Sequence, residues 1–214
     1  MRSPEDALAT VTATVDRATA TSHARQSAVF EPWDESPSEF LAWLRARGWL
    51  PSEFQQRRAI DELLNGEWRH ELVELASRAT VLHALYRRGV AGEEPIRPRW
   101  LAMFAGVAVV ATVSQDESSW DPTTRAASIP TRRSAARAEW DTLHETAHAV
   151  LFPADDHPSV QRLAALLAVD RATYQATVSR RGPGGAVVRL ANTHDHLPPF
   201  VVAASCLFWG RLDQ

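Results

Sequence analysis

Apolar residues recur at three- and four-residue steps through much of the chain, which is the period of a helix with one buried face. Trp68, Leu72, Leu75, Ala76, Ala79, Leu82 and Tyr86 make one such stripe and predict a helix over residues 68–89. Upstream, Ser36, Pro37 and Glu39 supply an N-cap, an N1 proline and a first-turn acid ahead of Phe40, Leu41 and Leu44, with Gly48 as the stop. Pro51 and Ser52 open another helix, carrying Phe54, Ile60, Leu63 and Leu64 up to Asn65-Gly66. The most regular stripe is Ala136, Trp140, Leu143, Ala147, Val150 and Leu151, which predicts a helix from Arg133 to the stop at Pro153.

Elsewhere the period changes. Val107–Val113 is rich in β-branched valine and reads as a strand, and Ala126–Ile129 reads as a second one. The polar stretch Gln115–Arg125 between them reads as a loop. Gly182-Pro183-Gly184-Gly185 predicts a turn leading into a strand over Ala186–Leu190, and Phe200–Trp209 is apolar enough to be a buried closing strand or helix. These elements predict an α+β, mostly α-helical fold, with a helical region over residues 1–95 and a core with a short β-sheet over 96–214.

Composition narrows the functional classes. A chain of 214 residues with 45% hydrophobic and 23% charged residues can bury one substantial core. Lys plus Arg total 23 against 26 Asp plus Glu, a net charge of -3, so bulk charge does not point to nucleic acid as a partner. Every basic residue is Arg, and the lack of any Lys excludes Schiff-base, P-loop and kinase chemistry. Cys206 is the sole cysteine, so a metal site must rest on His and carboxylate groups. The longest apolar run, Trp100–Val113, is too short for a bilayer span of about 20 residues. The first twenty residues lack the apolar stretch of a signal peptide, and the expected location is cytoplasmic, with no membrane partner.

The chemistry-bearing feature is His144-Glu145-Thr146-Ala147-His148, an HExxH motif on the predicted Arg133–Pro153 helix. Residues four apart share a helical face about 6 Å apart, so both imidazoles can reach one cation while Glu145 faces water beside it. Zinc (Zn2+) is the expected cofactor, with Glu145 as general base toward a polarised carbonyl. Glu145 is the last glutamate of the chain, so the third ligand comes from Asp155, Asp156, His157, Asp170, His194, Asp195 or His196. His157 is favoured, nine residues beyond His148 after a short turn and just before Pro158 at the first turn of a new helix. His194, His196 and Tyr174 are candidates for an additional ligand or an oxyanion stabiliser, and Asp141 is either a residue orienting an imidazole or a solvated helix acid.

The segment HETAHAVLFPADDHPSVQRL resembles the SprT-like small zinc metallopeptidases, in which an HExxH helix, a short turn and a His ligand lead into the next helix. More loosely it is similar to the ImmA/IrrE-like peptidases, whose motif helix follows a small sheet. The resemblance covers about twenty residues. It implies a zincin-like core at 96–214, His144, His148 and His157 as metal ligands, Glu145 as base, a peptide or small-molecule amide substrate, and an edge strand beside that substrate, a role for which Val107–Val113 is the candidate. Two other functional classes stay open. Residues 160–181 resemble a helix-turn-helix DNA-binding regulator, with Asp170 capping a second helix whose Arg171, Thr173, Tyr174 and Gln175 would face a major groove. A metal-dependent biosynthetic enzyme that is not a peptidase would use the same ligands.

Overall fold

The computed structural model describes residues 37–49, 69–90, 94–154 and 156–213. Within them lie seven helices and three short strands: α1 (Pro37–Ala46), α2 (Arg69–Gly89), α3 (Pro98–Phe104), β1 (Ala108–Thr112), β2 (Ser119–Asp121), β3 (Ala126–Pro130), α4 (Ala135–Leu151), α5 (His157–Ala168), α6 (Arg171–Thr193) and α7 (Pro199–Leu212). The protein is α+β and mostly helical, as its patterning predicts. The helix expected after Pro51 lies outside the described residues.

The termini of these helices follow from their cap chemistry. The Ser134 side chain accepts from the backbone N–H of Arg137 and starts α4. Asp156 and Asp170 do the same for α5 and α6, through Ser159 and Thr173. Gly48 closes α1 with φ at +66°, a left-handed conformation that costs a glycine little.

The core is built around α5, whose residues Ser159–Ala168 are all buried. The helix is enclosed by α2, α4 and α7. The predicted stripe of α2 delivers Leu72, Leu75, Ala79, Leu82 and Tyr86 to this core, and α7 adds a continuous buried run from Phe200 to Gly210. Such all-round burial explains why α7 shows no amphipathic period and why its type stays ambiguous in the sequence.

The sheet has the order β1-β3-β2, with β1 parallel and β2 antiparallel to β3. Val107, Ala127 and Ile129 pack with Ala102 of α3 and with Ala138 and Ala149 of α4, so one face of the sheet lies on the motif helix. Two expectations need correction. The stretch Gln115–Arg125 contains β2, whose three residues are too few to show alternation. Ala186–Leu190 is helical, not a strand: Ala186, Val187, Leu190 and Ala191 are buried at helical spacing, which overrides the β preference of the two valines. The predicted turn before it survives as a kink within α6, where Gly182 has φ +69° and Pro183 begins the second helical stretch.

Candidate metal centre

Helix α4 carries His144, Glu145 and His148, and His157 is the first residue of α5. Phe152 is the C-cap of α4 and Asp156 the N-cap of α5. The three imidazoles offer ligand nitrogens that all lie within 4.8 Å of one another. The His144 ring centroid is 4.9 Å from that of His148 and 5.1 Å from that of His157, and the His148 and His157 centroids are 6.2 Å apart. This is the trio expected from the motif and the turn after it.

The donor set fits a zinc-sized cation. Nitrogens about 2.0–2.1 Å from a tetrahedral ion stand about 3.4 Å apart, so a separation of at most 4.8 Å asks only for modest side-chain closure. Nδ1 of His144 lies 3.2 Å from Glu145 Oε1, while its Nε2 is buried and has no hydrogen-bond partner among the described residues. With Nδ1 donating to the carboxylate, Nε2 holds the lone pair that a metal ligand needs. An orphaned buried imidazole nitrogen is costly unless something occupies its lone pair.

Glu145 is 3% exposed and accepts a 2.6 Å hydrogen bond from the Ser118 hydroxyl. Burial works to raise its pKa, but the His144 ring, the Ser118 hydroxyl and the charge of His148 together outweigh it, leaving the carboxyl below its ordinary value. It is a carboxylate at neutral pH, the form a general base requires.

These groups open into a cleft of about 670 Å³, bordered by β2 and the preceding loop through Ser118 to Trp120 and by Arg133, Arg137 and Trp140 of the α4 region. The strand along this cleft is β2, where Val107–Val113 was the expected one: no β1 residue lines it, because β3 separates β1 from the edge nearest the site. Searched against models of known protein families, the chain matches none, and no curated protein matches it.

The remaining candidates have other partners. His196 Nε2 is 2.9 Å from the Ile96 carbonyl, and His194 Nδ1 is 2.9 Å from that of Leu190. Neither joins the three-histidine cluster. Tyr174 is buried at 2% exposure outside the cleft, which removes it from oxyanion stabilisation there and from a DNA-facing surface. Arg171 and Gln175, two other residues of that surface, both bond Asp213. Asp156 caps α5, and Asp170 caps α6 and pairs with Arg87 at 2.6 Å. Asp195 is exposed. Asp155 lies outside the described residues.

Asp141 is neither solvated nor bonded to an imidazole. It is 2% exposed, takes a 2.7 Å bond from Arg137 Nε and lies 3.6 Å from Arg133 Nε. Burial raises its pKa above the ordinary carboxylate value despite the two guanidinium groups. Ser118 and Gln161 are site residues that sequence reading misses. The Gln161 amide stands 3.2 Å from His157 Nε2, one helical turn along α5. That i,i+4 spacing from a suspected ligand was a usable signal for Gln161, whereas nothing in the sequence ties Ser118 to a residue 27 positions away.

Proposed function

We propose that the protein is a zinc-dependent hydrolase of peptide or other amide bonds, with His144, His148 and His157 holding the ion and Glu145 acting as general base. The observation that carries this reading is the convergence of three imidazoles within 4.8 Å beside a buried carboxylate, at the wall of an open cleft. When bound, zinc supplies a Lewis acid that polarises a carbonyl and acidifies water. Glu145 then accepts the proton of attacking water and passes it to the leaving nitrogen. The Ser118 hydroxyl holds Oε1 in place during both transfers.

A peptide is favoured over a compact amide because β2 is one of the two outer strands of the sheet and lines the cleft. A free strand edge offers backbone donors and acceptors to an extended chain. The resemblance of the HExxH-turn-His segment to SprT-like and ImmA/IrrE-like peptidases agrees with this choice. Metal analysis with Glu145→Gln and His148→Ala tests the reading. Glu145→Gln should keep one zinc per chain and lose peptide hydrolysis, and His148→Ala should lose both. A purified wild-type chain that takes up no zinc, or a Glu145→Gln variant that hydrolyses as well as wild type, overturns it.

A further inference from the structure

The cleft extends beyond the metal residues along the N-terminal half of α4, where Arg133, Arg137, Trp120, Trp140 and Asp141 line it. Two guanidinium groups meet one carboxylate there. Asp141 receives Arg137 through Nε, and Arg133 donates Nη2 to the Asp116 carbonyl at 2.6 Å. The terminal nitrogens of Arg137 bond no described residue, although the side chain is mostly buried, at 21% exposure. Asp116 and Glu117, the other acids at this end, are exposed, and neither carboxylate pairs with either arginine among the described residues. One positive charge is left over on a planar group whose paired nitrogens match a carboxylate. The indoles of Trp120 and Trp140 line the same cleft.

Resting on the hydrolase reading, we infer that Arg137, supported by Arg133, is a specificity site that takes a carboxylate of the substrate, so that the preferred substrate is an acidic peptide. Arg137 precedes Glu145 by eight residues, about 12 Å of helix. An extended peptide advances about 3.3 Å per residue, so the recognised carboxylate sits roughly two to four residues from the cleaved bond. An acidic side chain and a free C-terminal carboxylate present the same chemistry at that distance.

The test uses the full chain with Glu145→Gln to stop turnover, both zinc-loaded and metal-free, and reads binding by calorimetry. The probes are N-acetylated, C-amidated alanine hexapeptides with one Glu or one Gln moved along the chain, plus an alanine hexapeptide ending in a free acid or an amide. At least one acid should bind about tenfold tighter than its neutral twin in both metal states. Arg137→Gln should abolish that preference. Arg137→Lys, which keeps the charge and loses the paired nitrogens, should shrink it severalfold and serves if Arg137→Gln does not fold. The pair that discriminates tells a side chain from a chain terminus. Twins that bind within twofold of each other, or a preference unchanged in either Arg137 variant, overturn the inference. Acid preference in a chain that takes up no zinc sinks the hydrolase reading alone, and hydrolysis without acid preference sinks this inference alone.

Discussion

The Ser118 hydroxyl donates a 2.6 Å hydrogen bond to Oε1 of Glu145, joining the segment that leads into β2 to the motif helix. The bond ties the general base to the strand that borders the cleft. A hydrogen bond to a charged group contributes about 1.5–3 kcal/mol. Ser118→Ala is therefore expected to lower kcat/KM by about tenfold or more while zinc content, measured on the same preparation, stays at one per chain. An unchanged rate would show that Glu145 is held by His144 alone.

Zinc should stabilise the fold, because its ligands come from two helices that the ion would cross-link. At free zinc about 1,000 times its Kd, the gain is about 4 kcal/mol, and the melting temperature should rise by on the order of ten degrees. A chelator should reverse the rise in wild type and have no effect on His157→Ala. Equal melting curves with and without zinc would remove the metal from the structure's energetics.

His83 and His194 are buried outside the metal cluster, and burial pushes each pKa from 6.5 down to about 4 against the pull of a backbone carbonyl. A folded value below the unfolded one means that the unfolded chain binds more protons between pH 6.5 and 4. Stability is then full above pH 6.5 and falls as the pH drops toward 4. For His83 the difference corresponds to roughly 3 kcal/mol. Urea midpoints between pH 7 and 4.5 should fall less steeply in His83→Gln than in wild type, and parallel curves would contradict the assignment.

Leu163 is fully buried at the middle of α5. Leu163→Ala should cost about 3 kcal/mol through lost burial and the cavity left behind. Chemical denaturation reads this directly. A cost below about 1 kcal/mol would mean that α5 is far less tightly enclosed than its burial indicates.

Much of this was legible in the chain because the responsible forces are local. Pro153 and the stripe through Trp140 and Leu143 mark α4 by ring sterics and periodicity, and HExxH puts two imidazoles one turn apart on any helix. The valines of β1 show their strand preference in the same way. Ala186–Leu190 misled for the converse reason: its valines prefer strands weakly, and burial of one helical face outweighed that preference.

By itself, then, the sequence determined where α2 and α4 form, that His144 and His148 share a face, and that a third histidine follows after a short turn. Tertiary structure alone decided that His157 closes on that pair, while His194 and His196 are spent on backbone carbonyls. It likewise decided that Ser118 reaches Glu145 and that β2 borders the cleft. Helix caps and periodicity act over about four residues, whereas these meetings depend on how α5 and the sheet pack against α4, which is set by burial summed over the whole core.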